Sequence, residues 1–288
     1  MDTALVVACI SGAVALASVG LSAWTQRQVA KRERQSKEEE RRSEAKIVLD
    51  RYRGPLLDAA WLLGDRLDNI RNRGFFAYLS GTSNRAPEAK LSTLFRFAYY
   101  FGWREYVRTQ VQLLRFENEE DTRLAAAFLS DISRTLATDR LDGPWAMLWL
   151  EEQRGIGELM TEQTADSSFI VRGHASFSRA YDTIFAQWMG RFADDLFTPG
   201  KAKKSDRMRL LQWALYGLVR QLDEQGAYTG GWMKQSADEI SLMLSQQISA
   251  PQVNDLREHL AALKPPISSL SGKFRKRSCF RVFATNCD

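Results

Sequence analysis

From Ala4 to Trp24 the chain runs 21 residues without a charged side chain, ALVVACISGAVALASVGLSAW, and this run constrains the molecule more than any other feature. As an α-helix at 1.5 Å per residue it is about 31 Å long, which matches a hydrocarbon core of about 30 Å. A helix also satisfies its own backbone amides, as lipid requires. Trp24 closes the run where an interfacial aromatic is expected. Arg27, Lys31, Arg32, Arg34 and Lys37 follow, with Glu33 the single acid among them, while only Asp2 precedes the run. Such an excess of positive charge on one side predicts a single-pass anchor over residues 1–24, with the N-terminus outside and the bulk of the chain in the cytoplasm. A cleaved signal peptide is the rival, and Ala15-Leu16-Ala17 resembles a cleavage site. Signal peptides carry a basic leader and a shorter apolar core of 7–15 residues, and this run departs from both. Ala8, Gly12, Ala13 and Ala17 are spaced as small-xxx-small pairs, which permit close helix packing and make homo-oligomer formation a secondary expectation.

The next stretch, TQRQVAKRERQSKEEERRSEAK over 25–46, holds eight basic and five acidic side chains and almost no large apolar ones. Glu33 and Lys37, and Glu38 and Arg42, are i,i+4 pairs in the favourable order. No Gly or Pro occurs between Leu21 and Arg53, so residues 25–53 are read as a helical stalk whose basic end lies near anionic headgroups. Gly54-Pro55 marks the change to a new helix, because proline suits a first turn and breaks an older one.

Beyond Pro55 the apolar spacing is helical almost throughout, which predicts a mainly α, multi-helix body over 54–264. Leu56, Ala60, Leu63, Leu67 and Ile70 mark one face of a helix ended by Gly74. A longer helix to about Phe116 offers Leu94, Phe97, Phe101, Val107, Val111 and Leu114 for burial. The acids after Asn118 suit a helix start, and Leu124, Phe128, Ile132 and Leu136 follow. Phe177, Tyr181, Ile184, Phe185, Trp188, Phe192 and Leu196 form the strongest amphipathic stripe. Ser205 is the expected N-cap of a helix running to about Glu224, and two shorter helices follow, near 236–248 and from Pro251. The runs Trp145–Leu150 and Phe169–Val171 suit strand or buried helix equally, so one or two short strands are allowed near 145–171. Residues 265–288, after Pro265-Pro266, read as a basic aromatic tail.

Chemical motifs are scarce. The sequence contains no P-loop, HExxH, GxSxG or CxxC pattern, and Gly155-Ile156-Gly157 lacks the third glycine of a dinucleotide fingerprint. Cys9 falls in the apolar run, and Cys279 and Cys287 fall in the tail. No cofactor and no metal is expected. One polar constellation stands out: if the stretch 151–160 adjoins Arg172-Gly173-His174, then Glu158, Arg172 and His174 share a charged pocket. A carboxylate beside a histidine is suited to acid–base work near neutral pH. The alternative reading makes Arg154 and Glu158 a surface pair and gives His174 a cap or core hydrogen bond. His259, in the charged stretch REHL, is expected to be solvated.

The +5 net charge invites comparison with nucleic-acid-binding proteins, but its distribution argues otherwise. The body from 47 to 264 carries 27 basic and 28 acidic side chains, so the excess sits in the two flanks. Lys273, Arg275, Lys276, Arg277 and Arg281 alternate with Phe274, Phe280 and Phe283, a mixture that suits either single strands or an anionic membrane surface. With an anchor already in the chain, the membrane is preferred and nucleic acid is not expected as a partner. Arg27, Lys31, Arg32 and Arg34 are assigned to the same surface.

At Tyr52-Arg53-Gly54-Pro55-Leu56-Leu57-Asp58-Ala59-Ala60, Tyr100-Phe101-Gly102-Trp103 and Glu152-Gln153-Arg154-Gly155-Ile156-Gly157-Glu158-Leu159-Met160, the chain resembles a group of bacterial proteins that combine an N-terminal membrane helix with a helical cytoplasmic body. The resemblance spans about residues 45–225. It implies architecture and a bacterial inner-membrane setting, and it carries over no activity and no catalytic residue. The combined expectation is a non-enzymatic interaction, scaffold or sensing module with a cytoplasmic protein partner. The alternative is a membrane-tethered enzyme using Glu158, Arg172 and His174.

Overall fold

A computed structural model describes residues 26–29, 31–37, 53–79, 84–111, 119–163, 169–223, 225–245 and 254–263. The apolar run 4–24 and the tail 265–288 lie outside these residues. Among the described residues no helix is long and apolar enough to cross a membrane. Residues 26–29 and 31–37 are helical and exposed, as a charged stalk segment should be.

The body is mainly helical. Helix α1 covers 53–71, with Gly54-Pro55 in its first turn, and Leu56, Ala60, Leu63, Leu67 and Ile70 are all buried. Each fully buried aliphatic side chain is worth about 1.5–3 kcal/mol, so this face alone anchors the helix. After the turn at Gly74 (φ 74°) and a 3₁₀ segment at Phe75–Leu79, α2 spans Ala86–Val111. The two are antiparallel: Arg96 donates to the Leu62 carbonyl at 2.8 Å, and Arg66 to Ser92 Oγ at 3.1 Å. That register brings the start of α1 level with Glu105 on α2.

Helix α3 (Glu119–Ala137) and α8 (Asp206–Leu222) form the second antiparallel pair. Phe128 lies so close over Gly217 that an added Cβ there would stand 2.2 Å from the ring. Most of α8 is buried. Ser205 is its N-cap and accepts from the Met208 N–H at 3.1 Å. Helix α4 (Leu150–Met160) crosses α2 through glycine. A Cβ on Gly157 would meet the Phe101 carbonyl oxygen at 2.7 Å, and one on Gly102 would meet Met160 Cβ at 2.8 Å. Two of the strings that carry the family resemblance thus pack on each other, and the Gly155-Ile156-Gly157 pattern serves helix contact.

The section 145–171 divides unequally. Trp145–Leu148 is turn and extended chain, neither strand nor helix, and α4 begins at Leu150. Thr161–Gln163 (β1) and Phe169–Val171 (β2) pair antiparallel, with Glu162 opposite Ile170. Helix α5 (His174–Ala180) continues through a π-helical turn, Tyr181–Phe185, into α6 (Ala186–Leu196). That extra residue rotates the stripe. Phe177, Phe185, Met189, Phe192 and Leu196 are buried, whereas Tyr181, Ile184 and Trp188 of the expected face are only half-buried. Trp188 covers Gly155 of α4. A short helix α7 (Lys201–Lys204) precedes α8, and α9 (Trp232–Ser245) and α10 (Asn254–Ala261) complete the body.

Candidate functional site

Glu158, Arg172 and His174 all lie beside α2, but at different levels of it. His174 is exposed at the start of α5, its ring edge-on to Phe95 at 5.0 Å between centroids. Glu158 is exposed on α4, one residue beyond the glycine that touches Phe101 and Glu105, and its charge acts on Arg108. At 1.5 Å per residue, the levels of Phe95 and Glu105 are about 15 Å apart along the helix. Among the described residues no hydrogen bond or ion pair joins any two of the three.

Arg172 is committed to local structure. Its backbone N–H donates to the Met160 carbonyl at 2.8 Å, and its Nε donates to that of Leu159 at 2.8 Å. Its Nη1 reaches Ser176 Oγ at 3.3 Å and pairs with Glu162. A guanidinium here satisfies carbonyls left free at the C-terminus of α4, a position that favours a cation.

Several buried polar groups elsewhere follow the same pattern. Arg207 is fully buried and donates to five carbonyls, those of Thr135 (2.6 Å), Leu136 (3.3 Å), Gly143 (2.8 Å), Trp145 (3.0 Å) and Leu141. Burial pulls its pKa down, opposed by Asp142, Asp139 and Asp195. The turn it holds contains Asp142 and Ala146 at φ 58° and 48°, a left-handed conformation unfavourable for alanine. Asp142 accepts from Ser205 Oγ and the Arg207 N–H, and Asp195 accepts the Ala146 N–H at 2.9 Å.

Between α1, α8 and α9, Arg71 donates to Gln212 and lies 3.4 Å from Glu239, which also accepts from Trp213 Nε1 at 3.0 Å and Gln235 at 3.3 Å. Burial lowers the pKa of Arg71 and that of nearby Arg66, the latter to about 10. His259, expected in solvent, has its Nδ1 2.6 Å from Asp131 Oδ2 and so docks α10 on α3. Asp131 is buried and also accepts from Arg134 at 2.7 Å. These ties were absent from the sequence reading; the only local trace was the polar density of GDRLDNIRNRG (64–74) inside an otherwise apolar helix.

Among the described residues no group of three or more His, Cys, Asp or Glu side chains could hold a metal ion. A half-buried aromatic row runs along α2. Phe95, Tyr99, Trp103 and Tyr106 follow one face of α2, each ring tilted or edge-on to the next at 5.3–6.2 Å, and Tyr106 meets Phe169 of β2 at 6.4 Å. Aromatic rings with polar edges are the usual material of contact surfaces. No family model, curated protein or solved structure matches the chain significantly.

Proposed function

We propose that the chain is a single-pass, membrane-anchored helical module of a bacterial inner membrane, N-terminus outside, that holds or senses a protein partner at the cytoplasmic face. The observation that carries the reading is the uncharged run 4–24 with its basic flank. Helical, exposed segments at 26–29 and 31–37 support it, since a solvated stalk needs no apolar face. The interior of the body supports a binding role over a chemical one. Arg207, Arg172 and Asp131 are each occupied by helix ends or by cross-helix partners. Arg27, Lys31, Arg32 and Arg34, with the tail residues Lys273, Arg275, Lys276, Arg277 and Arg281, supply cations for anionic headgroups, each worth about 1 kcal/mol near the surface.

Removal of residues 1–24 tests the anchor. The shortened protein is expected in the soluble fraction with its helical circular dichroism retained. Retention on washed membranes would refute a single anchor. Crosslinking and mass spectrometry of the tagged full-length chain in its own membrane identifies the partner, and recovery of crosslinks to the chain itself alone would replace a separate partner with a homo-oligomer.

A further inference from the structure

Arg66 and Arg96 cross between α1 and α2 in opposite directions on neighbouring turns. Arg96 reaches over to α1, where its Nη1 donates to the Leu62 carbonyl at 2.8 Å and to Asp65 Oδ2 at 3.2 Å. Arg66 reaches back to α2, where its Nη2 donates to Ser92 Oγ at 3.1 Å. Asp65 is thereby committed to Arg96, and it also accepts from Asn69 at 3.3 Å. Among the described residues no carboxylate pairs with Arg66. Glu88, one turn before Ser92, is exposed and joins neither arginine. Ser80, Gly81, Thr82 and Ser83, which lead towards α2 in the sequence, supply no acid.

Two cations therefore stand against one carboxylate in a half-buried place. Burial is the largest cause pulling the Arg66 pKa down to about 10, and repulsion from Arg96 outweighs the attraction of Asp65. The group stays charged near neutral pH, so its surroundings are short of an anion. A guanidinium carries five N–H donors. Arg66 spends one on Ser92, and its Nε is buried without a partner. The stem is fixed by Phe75, whose ring centroid lies 4.9 Å from Cζ. Beside it stands Tyr78, 55% exposed, its ring 6.3 Å from that of Phe75. Both arginines keep an exposed edge, Arg96 at 21%. Holding an unpaired guanidinium half out of water costs desolvation that the fold itself does not recover, and a bridging anion would recover it. An exposed tyrosine beside an arginine is also the usual material of binding hot spots.

We propose that Arg66, Arg96, Ser92 and Tyr78 form a binding site for a singly charged oxyanion, the carboxylate of an acidic side chain on a protein partner. One negative charge cancels the local excess, whereas a phosphomonoester dianion would overshoot it. Adjacent guanidiniums supply N–H donors for both carboxylate oxygens, and such charge-assisted bonds are about twice as strong as neutral ones. The Ser92 hydroxyl accepts from Arg66 and keeps its own proton to donate. Tyr78 offers an apolar face to the residues beside the acid. That the carboxylate belongs to a protein rests on the binding-module reading above. A lipid phosphodiester carries the same charge, and the test separates the two.

The test uses the tagged full-length chain in a neutral detergent. The probe is an array of acetylated pentapeptides with glutamate at the centre and the other positions randomised, beside the same array with glutamine. The expected result is at least about tenfold more binding to the glutamate array, and at least about a tenfold loss of that binding for Arg66→Met. Arg209→Met, which removes a surface arginine paired with Asp206, should bind as the parent does. Equal binding to the two arrays, equal binding by the parent and Arg66→Met, or no binding to either array overturns the inference. Such a failure leaves the anchor and partner readings standing, since removal of residues 1–24 and crosslinking test them separately. Displacement by dihexanoyl-phosphatidylglycerol at least about tenfold more effective than by acetate assigns the site to a lipid phosphodiester and overturns the protein carboxylate. If Arg66→Met fails to fold, Tyr78→Ala at its exposed position repeats the comparison. Its expected loss is at least about three-fold, and binding equal to the parent's refutes the site.

Discussion

Replacing Arg207 by methionine isolates the largest buried polar tie in the body. The side chain is fully buried and its guanidinium serves five carbonyls from the end of α3 and the 138–146 turn. Methionine keeps most of the stem volume and removes every donor. A buried carbonyl left without a partner costs about 1–3 kcal/mol. If relaxation rescues two of the five, the remaining three cost at least about 3 kcal/mol. The held turn adds to this, because Ala146 stays left-handed at a cost of about 1–2 kcal/mol only while its surroundings over-determine it. Relief of the buried charge offsets part of the loss, so the net expectation is about 3–4 kcal/mol. For a body of this size 1 kcal/mol corresponds to about 2–4 °C, so the midpoint should fall by about 10 °C. Thermal unfolding of the full-length chain in mild detergent, followed by tryptophan emission, measures it. Arg207→Lys should fall between the two, since one compact ammonium cannot bridge carbonyls that a planar fork reaches. A midpoint within about 2 °C of the parent for Arg207→Met would refute the reasoning, because five orphaned carbonyls could not then be costly.

Other consequences follow from the same geometry. Gly157→Ala places a methyl 2.7 Å from the backbone oxygen of Phe101, and is expected to cost about 2–3 kcal/mol in chemical denaturation. Gly190→Ala meets nothing within 4 Å and should instead stabilise by about 0.5–1 kcal/mol; a reversed order would show that the α2–α4 crossing is not close-packed. Tyr100 is fully buried, its hydroxyl has no hydrogen-bond partner among the described residues, and burial raises its pKa. Tyr100→Phe should therefore be neutral or stabilising by up to about 1 kcal/mol, and a loss of that size would mean the hydroxyl is satisfied in solution. Substituting alanine for both Glu158 and His174 is expected to leave complementation of a deletion strain intact, with an unchanged circular dichroism spectrum. Loss of complementation with the fold preserved would restore the enzymatic alternative.

Helix positions were legible because they rest on local periodicity. The faces at Leu56–Ile70 and Leu124–Leu136 and the cap at Ser205 involve neighbours a few residues apart, whose chemistry is visible in the string. The stripe from Phe177 to Leu196 was misread by one residue. A π-helical turn breaks the 3.6 period, and nothing in YDTIF announces it. His259 was placed in solvent because its partner Asp131 stands 128 residues away.

The same division runs through the whole molecule. By itself the sequence determined the helical class, the neutral body between two basic flanks and the uncharged run at 4–24, all of which depend on composition or short-range spacing. Tertiary structure decided that Gly157 is a crossing point, that Arg172 caps α4, and that Glu158 and His174 occupy separate levels of α2. The physical reason is that helix register is set by packing between distant segments. A three-residue shift in that register would move a side chain by about 4.5 Å along its neighbour without changing any local pattern.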